Sequence, residues 1–96
     1  MPAYFVIELD IQDPAGFDEY ARAVFRLLPK YGARYLVRRQ PVEVLEGEWR
    51  PKHITLVEFP SKARAKEFYA SREFRDIMEI RRRSARTNLV LVEQPK

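Results

Sequence analysis

The chain has 96 residues and no cysteine, which excludes disulfides, thiol nucleophiles, thiolate metal sites and iron–sulfur clusters. At this length one domain buries only about 60 to 65% of the surface its unfolded chain exposes. Hydrophobic residues at 46% are too many for a disordered chain, and the +4 charge comes from 18 basic and 14 acidic residues interspersed rather than segregated, so it does not single out nucleic acid.

No apolar run approaches the roughly 18 residues of a membrane span. Met1-Pro2-Ala3-Tyr4 leads straight into strand-like residues without a charged segment and an apolar export signal, so a cytoplasmic address is expected.

Tyr4 to Ile11 alternates, with Phe5, Ile7, Leu9 and Ile11 on one face and Tyr4, Val6, Glu8 and Asp10 on the other, and is expected to be a strand. Asp13-Pro14 then opens a helix, because Asp13 can accept from the free N–H groups of the first turn and Pro14 fits the first helical position. Phe17, Tyr20, Ala21, Val24, Leu27, Leu28 and Tyr31 make its apolar stripe. Pro29 removes a helical hydrogen bond and should bend or end the last turn, with Gly32 as a left-handed stop.

Arg34 to Arg39 is the next expected strand, its alternation setting Tyr35 and Val37 against Leu36 and Arg38. Gln40-Pro41 interrupts it with a bulge or edge break before a further β-like run, Val42 to Leu45, which would pair with a partner chain. His53 to Phe59 is the clearest strand, ended by Pro60. Ser61 can cap a helix over Lys62 to Ala70, and Ser71 a second from Arg72 to about Ala85 that presents Phe74, Ile77, Met78, Arg81 and Ala85. Asn88 to Glu93 closes the sheet, and Pro95-Lys96 is a tail.

The order strand, helix, strand, strand, helix, strand is the split βαβ arrangement of ferredoxin-like α+β folds, in which four antiparallel strands carry helices on one face. Tyr4, Val6, Ile54, Leu56 and one of the pairs Val90/Val92 or Leu89/Leu91 are left on the other face. An exposed apolar surface of that kind marks an interface, so the open sheet face is expected to pack on a twofold copy of itself as a homodimer.

Tyr31-Gly32-Ala33-Arg34-Tyr35-Leu36-Val37-Arg38, Pro41-Val42-Glu43-Val44-Leu45-Glu46-Gly47-Glu48-Trp49-Arg50-Pro51, Val57-Glu58-Phe59-Pro60-Ser61, Phe68-Tyr69-Ala70-Ser71 and Leu89-Val90-Leu91-Val92-Glu93 resemble a small bacterial domain-of-unknown-function family of the dimeric α/β-barrel superfamily. The resemblance covers nearly the whole chain. It implies a ferredoxin-like protomer whose sheet pairs with its copy to form a barrel, among relatives that include cofactor-independent monooxygenases of aromatic polyketides, muconolactone isomerases and haem enzymes such as chlorite dismutases. Where the family tends to have Arg-Gly-Gly after the second strand, this chain has Arg38-Arg39-Gln40, which removes two glycines able to bring a ligand close to the backbone.

Six residues stand out as candidates for chemistry. His53 is the one side chain whose ordinary titration lies near neutrality and is a candidate general base, the plainer reading being an exposed histidine at a loop edge. Arg38 and Glu58 lie on neighbouring strands, where a shared face would make either a site for a substrate carboxylate or carbonyl, with Glu58 as a second catalytic candidate, or a structural ion pair at the dimer. Tyr35 and Tyr69, with Tyr20 and Tyr4, are placed to line a cavity between helices and sheet or simply to fill the core.

Trp49, in a polar loop, is expected to pack on the partner or roof a pocket. A single histidine with scattered carboxylates gives no metal-ligand set, and neither a metal nor a cofactor is expected. Arg81-Arg82-Arg83 and Arg86 do not share one helical face, and the strand His53 to Phe59 lacks the glycine and aromatic positions of RNA-recognition domains, so nucleic acid is not an expected partner. The sequence favours a homodimer that binds a small molecule, as an enzyme of cofactor-independent oxygenase or isomerase type or as a non-catalytic interaction module.

Overall fold

Alternation of apolar side chains gives β1 (Ala3–Ile11) one face for the core: Ala3, Phe5 and Leu9 are buried, and Tyr4 and Val6 between them are only half-buried. In the computed structural model, which describes residues 1–95, this strand is central in a four-stranded antiparallel sheet of order β2-β3-β1-β4. The chain runs β1, α1 (Pro14–Leu27), a 3₁₀ turn (Leu28–Tyr31), β2 (Arg34–Pro41), β3 (His53–Phe59), α2 (Lys62–Ala70), α3 (Arg72–Ser84) and β4 (Ala85–Glu93). The expected tail residue Lys96 lies outside the described residues.

The local signals act as their chemistry dictates. Asp13 accepts from the Gly16 N–H at 3.2 Å and caps α1, Ser61 caps α2 through the Arg64 N–H, and Ser71 caps α3 through the Phe74 N–H. Ahead of Pro29 the α-helix gives way to the 3₁₀ turn, which Gly32 ends at φ +67°. A side chain at Gly32 would also meet Pro60, whose Cγ lies 2.8 Å from where a Cβ would stand. The buried stripe of α1 (Phe17, Tyr20, Ala21, Val24) packs with Phe68 of α2 and Phe74 and Met78 of α3 over Phe5, Leu9, Val57 and Phe59 of the sheet. Aromatic rings knit the layers, with Phe5–Phe59 at 4.8 Å and Phe68–Phe74 at 4.7 Å between centroids.

Three expectations change. Val42–Leu45 forms no strand within the protomer, where β2 ends at Pro41, paired with His53 at the start of β3. The alternation of β2 breaks between Tyr35 and Val37 and again between Val37 and Gln40: Tyr35 pairs with Val57, but Val37 pairs with Leu56, whose side chain is on the opposite face. Finally, β4 starts at Ala85 rather than Asn88, directly at the end of α3.

Of the two pairs on β4, Leu89 and Leu91 pack on the core, while Val90 and Val92 point away and stay 57% and 49% exposed. With Leu36 at 44% and half-buried Val6, Ile54 and Leu56, they make the open face of the sheet apolar.

Candidate functional site

The core is not solid. Between α1, α2, α3 and the sheet lies a cavity of about 40 Å³. Phe5, Ile7, Val57 and Leu89 form its floor, and Ala21 and Val24 of α1, Leu28 of the 3₁₀ turn, Phe68 and Phe74 form its roof. At roughly 10–15 Å³ per water, the space takes about three waters or a ligand head of similar size.

The polar groups of this lining are Tyr20, Tyr35, Arg38, Arg39, Thr55 and Arg81, and no carboxylate is among them. Exposed Arg38 marks the mouth, its guanidinium lying over the rings of Phe25 (5.2 Å) and Tyr35 (4.9 Å), which are themselves parallel within 9°. The two breaks in β2 make this arrangement: regular alternation would send Arg38 to the face opposite Tyr35, and the irregular register returns it to the helix side.

Arg39 takes a left-handed conformation, φ +49°, uncommon for a residue with a side chain. Its N–H donates to Thr55 Oγ1 at 3.0 Å, its guanidinium lies over Phe17 and donates to Asp18 at 3.0 Å, and these contacts hold the strained residue. The glycine that the resemblance implies at this turn is an arginine here, and the backbone keeps the conformation that glycine favours.

Arg81 is buried in the site, only 7% exposed. Its Nη1 donates to the Tyr20 hydroxyl across a long 3.4 Å, and its Nε is buried with no partner. The guanidinium carbon lies 5.7 and 5.8 Å from the rings of Tyr20 and Phe74. Burial pushes the Tyr20 phenol up to about 12 against the opposing pull of Arg81, so Tyr20 is a neutral hydrogen-bond donor throughout the physiological range. Tyr35 is raised by burial too, opposed by Arg38 and Arg39.

The other sequence candidates lie elsewhere. Glu58 pairs in register with Arg34 and accepts from its Nε at 2.8 Å, so the expected Arg38–Glu58 pair does not form; Arg38 lies further along β2 and on the other face. His53 faces the helix side at the start of β3, across from Leu9, with Nδ1 buried and without a partner, but it does not line the cavity. Trp49 is 60% exposed, and its indole N–H donates to Glu8 at 3.3 Å while Asn88 donates to the other carboxylate oxygen. Tyr69 borders a separate open groove of about 400 Å³ with Phe5, Ala65, Lys66, Leu89 and Leu91.

Of the six, then, the cavity unites Tyr35 and Arg38. It adds Tyr20, which the sequence places among possible cavity tyrosines, and Arg39, Thr55 and Arg81, which no sequence pattern marks as ligand contacts. Arg81 is legible only as an anomaly, a cation on the stripe Phe74, Met78, Ala85 that otherwise faces the core.

Among the described residues no cluster of three or more His, Asp or Glu is arranged to hold a metal, and no helix is long and apolar enough to cross a membrane. Comparison with curated proteins finds no match.

Solved structures are similar at low identity. A protein of unknown function from Rhodopseudomonas palustris superposes with TM-score 0.77 at 17% identity, over 99% of this chain and 83% of that one. A dimeric ferredoxin-like protein of unknown function from Jannaschia sp. CCS1 gives 0.71 at 17%, over 98% and 100%. SnoaB, a cofactor-independent oxygenase from Streptomyces nogalater, gives 0.67 at 14%, over 99% and 94%. These likenesses confirm the ferredoxin-like fold. The model of the domain of unknown function DUF1330 matches residues 2–95, and the chain belongs to that family.

Proposed function

We propose that the protein is a homodimer that binds a small organic molecule in the cavity between its helices and sheet. One observation carries this reading: a cavity roofed and floored by apolar side chains into which a few convergent polar groups, Tyr20, Tyr35, Arg38 and Arg81, are set. That combination suits orientation of a ligand better than plain core filling, since a core gains nothing from a void beside a buried cation. The dimer is supported by the apolar open face and by the dimeric, ferredoxin-like neighbours.

Within this reading, an enzyme of cofactor-independent oxygenase or isomerase type is suggested by the likeness to SnoaB, and the Tyr20 and Tyr35 hydroxyls are the proton carriers at hand. A non-catalytic binding module is favoured by the small volume, because 40 Å³ encloses only part of a substrate unless the Phe25–Tyr35–Arg38 mouth opens. The test is ligand-observed NMR with a set of aromatic fragments on the wild-type protein and on Ala21→Leu, which fills the roof of the cavity. Fragments that bind the wild type should lose contact with Ala21→Leu while its melting temperature holds or rises. An absence of hits, or hits indifferent to the filled cavity, would overturn the proposal. Oxygen uptake with the fragments that bind separates catalyst from binder.

A further inference from the structure

The Arg81 guanidinium carries more hydrogen-bonding capacity than the protein satisfies. A guanidinium offers five N–H donors and keeps its charge at any pH a protein survives. Here one donor reaches Tyr20 at the long limit of a hydrogen bond, Nε reaches nothing, and the remaining contacts are the edges of the cation–π range. The ion pairs of the described residues join Lys30–Glu73, Arg34–Glu58, Arg39–Asp18, Lys52–Asp10, Arg64–Glu67 and Arg82–Glu79, and Arg81 is in none of them. A buried charge without a counter-charge is among the costliest features a core can hold.

Tyr20 has the complementary deficit. Its oxygen accepts from Arg81, while its own proton has no acceptor among the described residues. Two donors therefore converge on the same space, in a lining that contains no carboxylate of its own. What is missing is an acceptor with negative charge, and the cavity holds about three non-hydrogen atoms, the size of a carboxylate group.

Building on the cavity reading above, we propose that the ligand is a small carboxylate, whose head lies against the Arg81 guanidinium and the Tyr20 hydroxyl. Arg81 donates through its guanidinium N–H groups to the carboxylate, in the forked geometry that guanidinium prefers, and Tyr20 donates its phenolic proton. The flat, aromatic lining of Phe17, Phe68, Phe74 and Tyr35 accommodates an apolar or aromatic body on the carboxylate, which leads out toward the mouth. Exposed Arg38 at that mouth and Arg39 beside it favour entry of an anion over a cation. Arg39 is already matched by Asp18 and Arg38 lies in water, so the unmet demand for a counter-charge is that of Arg81 alone.

Sodium benzoate and its neutral isostere benzamide are the probes. Thermal unfolding of the wild-type protein at constant ionic strength should show benzoate raising the melting temperature by about 5–10 °C at ten times its dissociation constant, with no shift from benzamide or from the same concentration of sodium chloride. Arg81→Met should melt higher than the wild type without ligand, because it replaces an unmatched buried cation with an apolar side chain of similar length, and it should no longer respond to benzoate. Tyr20→Phe, which keeps the ring, should weaken benzoate about tenfold.

Equal stabilisation by benzoate and benzamide would overturn the carboxylate assignment and leave the cavity reading standing. Equal stabilisation by chloride would overturn it as well. A wild-type protein indifferent to all probes would overturn both, and a folded Arg81→Met protein that responds to benzoate as the wild type does would sink the assignment. Should Arg81→Met not fold, the contrast between probes on the wild type and on Tyr20→Phe decides alone.

Discussion

Tyr20 and Arg81 meet in the core because each sits on the inward stripe of its helix, and the meeting has a consequence at high pH. Tyr20 titrates at about 12 in the folded chain instead of the ordinary 10, chiefly because burial disfavours the phenolate. The folded state therefore holds the proton after the unfolded chain has released it, so stability is unaffected by this group below pH 10 and declines between about pH 10 and 12. The whole decline amounts to roughly 2 to 3 kcal/mol at most. Tyr20→Phe removes this contribution: urea unfolding across pH 9 to 12 should show the variant losing less stability than the wild type over that interval, and parallel curves would contradict the burial of the hydroxyl. Sequence alone identifies both residues on their stripes but not their relation, because the contact joins positions 61 apart and only the fold sets them side by side. His53 shows the converse: the imidazole draws attention in the sequence, and the fold leaves it outside the lining of the cavity.

Elements with strong local chemistry are legible in the sequence almost to the residue. The helix expected over Lys62–Ala70 is α2 as found, and the one expected from Arg72 ends one residue early, because Ser61 and Ser71 provide hydrogen bonds that no neighbouring position can replace. The β2 strand is less legible, since its two register breaks answer to its pairing with β3 and to the contacts of Arg39, neither of which a local pattern contains. The run Val42–Leu45 has β propensity but pairs with no strand of the same protomer, and propensity without a partner makes no strand. Ser71 is the economical joint of the helical layer: its Oγ accepts from the Phe74 N–H to start α3 and donates to the Phe68 carbonyl at 2.7 Å to finish α2. Ser71→Ala leaves both groups without that partner and should cost about 1–2 kcal/mol of stability, measured by chemical denaturation. Ser71→Gly, which takes the cap conformation readily but has no hydroxyl, should cost less than Ser71→Ala, and a loss under about 0.3 kcal/mol for Ser71→Ala would show that the joint is held by the Phe68–Phe74 rings instead.

At the scale of the molecule, the sheet has one face committed to the helices and the other left apolar and wet. Val90 pairs with Val6 in register and Val6 with Leu56, so three strands contribute to a continuous apolar row that helices never reach, flanked by the ion pair Arg34–Glu58 and the Glu8–Trp49 hydrogen bond. The proposed twofold copy would bury the same row on both chains, and a stable interface of this kind covers roughly 800 Å² of each partner. In such an interface a single substitution counts twice. Val90→Glu places two unpaired carboxylates at the contact, a penalty of several kcal/mol, which weakens the proposed dimer by roughly a hundredfold or more. Because Val90 is 57% exposed on one protomer, the same change leaves the fold of that protomer intact. Light scattering at micromolar concentration should therefore give twice the 11.4 kDa chain mass for the wild type and the chain mass itself for Val90→Glu, with unchanged circular dichroism. A wild type that scatters as a single chain would refute the dimer, and a Val90→Glu protein that stays paired would move the interface off the open face. The cavity lies on the opposite side of the sheet, so benzoate should stabilise Val90→Glu as it does the wild type; a dissociated variant that no longer responds would tie the ligand site to assembly.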